Sequence, residues 1–398
     1  MRFTTALFLA ATPLLASAHP LKVTRAVSAA TVTVLKFAEL LEQLETQFYT
    51  QALAKFKPED FTAAGITIPD IAIQGFQEIL AHESSHVAVL DQALADNGET
   101  PLSGCSFNFD PVLTDVATMA GVARVVEHVG VAAYLGGADI LDDKNFLAAA
   151  ATILTVEARH QSFLNIVGGA TTVPQAFDVA LTPQDVLSIA GAFVSGCDPA
   201  AALGLGAANP PLAVTNQGPV AAGTKLTFSS PALNSTSEGS ASCQMLVGGQ
   251  ATSLSFALNE CIVPEGIDGP VWIWLTKDTQ PLAADIHVRS SASILAGPTA
   301  AFIDSKSSAL GAVVRNGAGF SATETISPSQ ATDILSSASQ TATESAPVAT
   351  STESVSAAPT AVSPPVNAAE PPATTSSASG AVPPINVIGV GAIPATTA

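Results

Sequence analysis

Residues 80–90 read LAHESSHVAVL, and residues 154–164 read LTVEARHQSFL. Set side by side, Leu80 meets Leu154, Glu83 meets Glu157, His86 meets His160 and Leu90 meets Leu164. The repeated element is Glu-x-x-His, and His82 falls opposite Val156 with no counterpart. On a helix, residues three apart share a face, so each pair presents a carboxylate and an imidazole together.

Taken alone, residues 82–86 also spell His-Glu-x-x-His, the helical zinc-protease signature. That reading needs a third ligand. The metzincin continuation would put glycine at 89 and histidine at 92, where Val89 and Gln92 stand. It also leaves the repeat unexplained, and the repeat extends further. Residues 41–49 (LEQLETQFY) match residues 126–134 (VEHVGVAAY): Glu42 meets Glu127, and Tyr49 meets Tyr134, the two tyrosines of the chain. Seven residues is two helical turns, so each Glu shares a face with its Tyr. The order along the chain is Glu, Glu-x-x-His, Glu, Glu-x-x-His.

Periodicity in the Ala-, Leu- and Val-rich region predicts one helix for each of these elements. They cover about 30–56, 69–98, from a cap at Asp110-Pro111 to Gly136-Gly137, and about 143–169. A short fifth helix starts at Thr182-Pro183 and ends near Gly196. In a bundle the four marked faces converge. Four carboxylates and two imidazoles then hold two divalent ions, with bridging and terminal carboxylates. Carboxylates buried without cations or protons would be strongly unfavourable. The link over residues 98–110 reaches roughly 40 Å when extended. That suffices to run the length of a ~26-residue helix, although a simple up-and-down bundle is also allowed.

These residues resemble the di-iron and di-manganese carboxylate members of the ferritin-like superfamily. Within it, the LEQLETQFY start, the N-terminal signal and the polar tail most resemble exported fungal stress-response proteins with a ferritin-like domain, relatives of plant desiccation-related proteins. The resemblance covers residues 30–198. It implies two divalent ions, iron or manganese, as cofactors, with Glu42, Glu83, His86, Glu127, Glu157 and His160 as ligands. Tyr49 and Tyr134 would hydrogen-bond ligand carboxylates from outside the metal shell. Glu45, one turn after Glu42, is a further candidate ligand. Its counterpart in the second half is Gly130, where any asymmetry between the metals would begin. His82 and His128 each stand beside a candidate ligand, turned about 100° from it, and read as structural or surface residues. The resemblance implies a peroxide- or oxygen-handling oxidoreductase that removes peroxide or oxidises Fe(II) during stress. The alternative is a non-enzymatic, cell-wall-associated stress-protective or structural protein with a degenerate or structural metal site.

The whole-chain expectation is an α region plus a separate β domain. A signal peptide occupies 1–18, a ferritin-like four-helix bundle 30–198, a small sandwich-like all-β domain 205–316, and a disordered Ser/Thr/Ala/Pro-rich tail 317–398. Arg2, the apolar ALFLAATPLLA and the small-x-small site Ala16-Ser17-Ala18 carry the signal reading. The mature protein is expected outside the cell or in the wall. Export favours disulfides, with the four cysteines paired within regions as Cys105–Cys197 and Cys243–Cys261. Asn234-Ser235-Thr236 is a glycosylation sequence. With a net charge of -19 and 12% charged residues, nucleic acid is excluded as a partner. No run of about 20 apolar residues follows the signal, so no transmembrane segment is expected. Trp272 and Trp274, two apart on one strand face, read as core packing or as a platform for cell-wall polysaccharide.

Overall fold

The structure is a computed structural model that describes residues 27–216, 218–234, 239–306 and 308–316. The signal peptide, the tail, and Ser235 and Thr236 of the glycosylation sequence lie outside the described residues.

The long helices form where the periodicity predicts them. Helix α1 (Ala29–Lys55) is capped by Ser28, whose hydroxyl accepts from the Thr31 N–H at 3.1 Å. A short α2 (Pro58–Ala63) follows, which the periodicity did not reveal. Helix α3 (Pro69–Asp96) opens on Pro69, whose missing N–H costs nothing in the first turn. Helix α4 (Val116–Ile140) begins later than expected. Asp110-Pro111 sits in a turn, where the amides of Val112 and Leu113 bond the carbonyl of buried Phe109 at 2.9 Å. Asp115 is the cap instead, and accepts from the Thr118 N–H at 2.8 Å. The helix also runs past Gly136-Gly137. A side chain at 136 would put its Cβ 2.0 Å from the Leu181 carbonyl, so Gly136 serves close packing rather than termination. Helix α5 (Lys144–Gly168) lies between Asp143 and Gly169 as predicted. Helices α6 (Pro183–Ala190) and α7 (Pro199–Ala202) complete the region, the first closed by a capping box between Thr182 and Asp185.

The topology follows from four contacts. Gly130 lies beside Glu45 and Gly137 beside Val34, so α4 runs antiparallel to α1. Glu99, just beyond α3, pairs with Lys36 near the start of α1 at 2.6 Å, whereas Phe109 packs on Phe48 further along it. The link from α3 to α4 therefore travels along the bundle, the crossover of the two alternatives. Its strand β1 (Ser106–Phe107) pairs with β2 (Val194–Ser195), and the Cys105–Cys197 disulfide pins both. By length and composition α4 is apolar enough to span a bilayer, but 67% of that window is buried inside the protein.

The β region follows the helices in the predicted order. A hairpin, β3 (Ala213–Val214) and β4 (Phe228–Ser229), precedes an antiparallel sheet of β5 (Ser242–Leu246), β6 (Leu254–Ala257), β7 (Gly269–Thr276) and β8 (Ile294–Ile303), in spatial order β6-β5-β7-β8. Alternation along β7 splits its side chains between two cores. Val271, Ile273 and Leu275 join Cys243, Met245 and Cys261 in a core beneath the hairpin, where the Cys243–Cys261 disulfide lies. Trp272 and Trp274 face the other way, fully buried in the core they share with α1 and α4. The sandwich-like expectation thus holds on one face only. The other face packs on the bundle, and the tryptophans are core residues with no surface to offer a sugar. Helix α8 (Ala309–Asn316), unanticipated in a β region, returns to the bundle, where the Val314 carbonyl accepts from the Thr67 N–H at 3.1 Å.

Two ion pairs, one partly and one fully buried, fasten the layers. Arg124 of α4 forks onto Asp304 at 2.7 and 2.8 Å and stacks over Phe302. Arg289 bonds Asp185 of α6 at 3.1 Å, and the same carboxylate accepts from Trp274 Nε1 at 3.0 Å and Asn209 Nδ2 at 2.9 Å. Both partners of the second pair are 1% exposed. Removing one side of such a pair strands a charge, so Arg289→Met is expected to lower the unfolding free energy by about 3–5 kcal/mol. The exposed His287–Asp139 pair is the control: His287→Ala should change it by less than ~1 kcal/mol. Urea denaturation of the variants measures both.

Candidate metal centre

All six predicted ligands meet inside the bundle. Glu42 comes from α1, Glu83 and His86 from α3, Glu127 from α4, and Glu157 and His160 from α5. The four carboxylates are 0% exposed, His86 9% and His160 4%. Their atoms fall into two groups, Glu42, Glu83, His86 and Glu157, and Glu83, Glu127, Glu157 and His160. Within each group the offered atoms lie within 4.8 Å of one another. Glu83 and Glu157 belong to both groups. Two carboxylates are thus shared, and each group adds a Glu and a His of its own.

Short contacts join the groups. His86 Nδ1 is 3.1 Å from Glu42 Oε2 and from Glu83 Oε2. His160 Nδ1 is 3.1 Å from Glu127 Oε2 and 2.8 Å from Glu83 Oε1. The last contact lacks hydrogen-bond geometry: Glu83 Oε1 and both Glu157 oxygens are buried without a hydrogen-bond partner among the described residues. Orphaned buried carboxylate oxygens beside two imidazole nitrogens are a donor set that fits divalent cations. Burial pushes the carboxyls of Glu83 and Glu157 well above the usual range, and the neighbouring glutamates push them further.

The tyrosines supply hydrogen bonds, crosswise. Tyr49 of α1 donates to Glu127 of α4, and Tyr134 of α4 donates to Glu42 of α1. Each thus reaches the carboxylate of the opposite helix, although it shares a helix face with another. Burial raises both phenols well above their ordinary value, followed by the charge of the carboxylate each one holds. They stay neutral donors.

Glu45 is 3% exposed and lies against the centre. A Cβ on Gly130 would fall 2.5 Å from Glu157 Oε2 and 3.1 Å from Glu45 Oε1. The missing side chain at 130 therefore makes room for both carboxylates. Burial, then the charges of Glu42 and Glu127, raise the Glu45 carboxyl well above its usual range.

His82 joins neither group. Its ring stacks on His160, with Nδ1 3.0 Å from His160 Nε2. When His160 Nδ1 faces the carboxylates as a ligand, its Nε2 carries the proton and donates to His82. This outer partner has no equivalent on the His86 side, where Val156 holds the matching position. His128 stacks on Trp272 with centroids 4.6 Å apart, both ring nitrogens unpartnered among the described residues. Burial, with Arg124 nearby, pushes it down to about 3, so it is a neutral aromatic of the core. Sequence reasoning missed Glu39, 1% exposed and one turn before Glu42. Burial and the charges of Asp91 and Glu42 lift it to about 7 against a hydrogen bond from Gln43. An acid on the otherwise apolar face of α1 was the available signal.

Residues 30–170 match the family model of the ferritin-like domain. No curated protein sequence matches the chain. The match covers the four long helices of the site and stops before the β region, so the ferritin-like character is that of the bundle.

Two predictions follow from this geometry. Glu83 serves both groups, so Glu83→Gln should abolish loading of both ions, whereas Glu42→Gln should leave about one per chain. His82→Ala should keep full content at saturating metal with affinity weakened about 10- to 100-fold. Plasma mass spectrometry decides this, and equal content in wild type and Glu83→Gln would overturn the assignment. The second concerns pH. Carboxyls raised on folding stabilise the metal-free fold fully below the unfolded value near ~4.3, and that stability is lost as pH rises through the folded values. Bound cations replace those protons. The melting-temperature gap between loaded and metal-free protein should therefore widen from about pH 5 to about pH 8 in calorimetry. A constant gap would contradict the cluster's electrostatics.

Proposed function

We propose that this is an exported protein whose bundle holds two iron or manganese ions and removes peroxide, or oxidises Fe(II) with oxygen, under stress. The observation that carries the reading is the sharing of Glu83 and Glu157 between two four-residue groups. A single-metal site has no use for that duplication. When bound, a carboxylate-bridged metal pair supplies the two electrons that reduction of peroxide requires.

The chain's own residues then have defined work. Glu83 and Glu157 would be shared by both ions, and Glu42 and Glu127 would each hold one of them. Tyr49 and Tyr134 hold those terminal carboxylates in one orientation, each from the opposite helix. Phe48 and Phe76, fully buried around Tyr49, keep water from that wall. Glu39, held near neutrality, suits proton exchange beside Glu42, with its Oε2 free of hydrogen bonds among the described residues. The two disulfides are consistent with an extracellular protein.

The test is peroxide decay and Fe(II)-dependent oxygen uptake by the metal-loaded chain, measured against the same metal free in buffer. Wild type should exceed that background, and Glu83→Gln should fall to it. Full loading with neither activity would overturn the catalytic reading and leave a stress-protective or structural bundle.

A further inference from the structure

One face of the metal centre opens on a cavity of about 360 Å³. On α1 its wall runs through Ala30, Val34, Ala38 and Leu41 to Glu45, one helical stripe. Fifteen residues of helix make the wall roughly 22 Å long. A volume of that size over that length is a channel, not a chamber. Its width comes from small residues on the facing helices, Ala133 and Gly137 of α4 and Ala150 of α5. The cavity reaches the surface at exposed Ala30, Ala149 and Val89, the last 56% exposed. The inner end is formed by Glu45 and Tyr134, the residue that holds Glu42.

We propose that this channel binds a neutral, unbranched aliphatic chain whose leading end rests against Glu45 and Tyr134 beside the metal centre. Apolar walls without donors do not hold ordered water and take up apolar molecules instead. No Lys, Arg or His lines the channel, so an anionic head group has no partner inside it. A volume of this size suits a small-molecule site, and a predominantly apolar lining with a few polar groups at one end is the usual build of one. Among the described residues, no hydrogen bond or salt bridge engages the Glu45 carboxyl, and it stands where the leading end of such a chain would arrive. Occupation of the channel does not require metal. The channel's meaning as a site that serves the metal centre rests on the two-metal reading.

The test uses the full chain as purified, with its metal content measured on the same sample. A neutral naphthylamine dye that brightens in apolar surroundings is bound first, then displaced by primary alcohols of increasing length. Each added methylene buried should tighten binding about fourfold until the channel is full, after which affinity levels off. Ala133→Phe and Ala38→Phe, which narrow the channel from opposite helices, should each move that plateau to shorter alcohols while leaving circular dichroism and metal content unchanged. Two independent variants guard against one that fails to fold. Dye binding that is not saturable, or an affinity that rises without a plateau and ignores both variants, would overturn the proposal. Loss of the metal reading alone would appear as absent metal with the plateau intact, so the two failures are distinguishable.

Discussion

The bundle is organised by the cost of burying negative charge. Glu42, Glu45, Glu83, Glu127 and Glu157 are all at most 3% exposed, and only two histidines stand among them. Carboxylates in such a place must be neutralised by protons or by cations. The raised carboxyls of Glu45, Glu83 and Glu157 are the proton solution to that constraint, and the two four-residue groups are the cation solution. The rest of the bundle is consistent with one of these being met. The acids lie mid-helix, where no frayed end admits water. The crosswise tyrosines tie α1 to α4 through the very groups that repel each other. Without counter-charge the same contacts would push the helices apart.

The β region contributes to that enclosure from outside. Helix α4 carries Glu127 inward, and its other side needs a cover. The sheet provides one: His128 lies flat on Trp272, and Arg124 is gripped by Asp304 over Phe302. His128 is neutral because burial makes its charged form unfavourable, so it adds no cation to the centre one residue away. Asp185 gathers Trp274, Arg289 and Asn209 into one buried network where α6 meets the sheet. Sheet and bundle are thus held at fixed distance by satisfied polar groups, which give orientation as well as burial.

The legible part of this arrangement was the part with local cause. The Glu-x-x-His repeat, the first-turn Pro69 and the start of α5 at Asp143 are short-range features, and the structure has them where the spacing puts them. Both cysteine pairs followed from regional composition. The start of α4 was misread because Asp110-Pro111 and Asp115 both satisfy the local rule, and the choice between them depends on burial of Phe109 against Phe48. The union of sheet and bundle was hidden for a related reason. Strand β7 is buried on both faces, so its residues read as a continuous apolar run that does not say what each face touches. The role of His82 was equally out of reach, since its partner lies 78 positions along the chain.

The two sides of the centre differ in chemistry. Towards α3 and α5, His82 is exposed and touches His160, and His86 is 9% exposed, so that side of the centre carries imidazole and carboxylate. Towards α1 and α4 lies the aliphatic channel, where a hydrated ion would lose its water and gain nothing in return. Glu45 stands at the junction, present in one half of the repeat and replaced by Gly130 in the other. The internal duplication therefore builds a matched pair of ligand groups, and two departures from it, Glu45 against Gly130 and His82 against Val156, set its two sides apart.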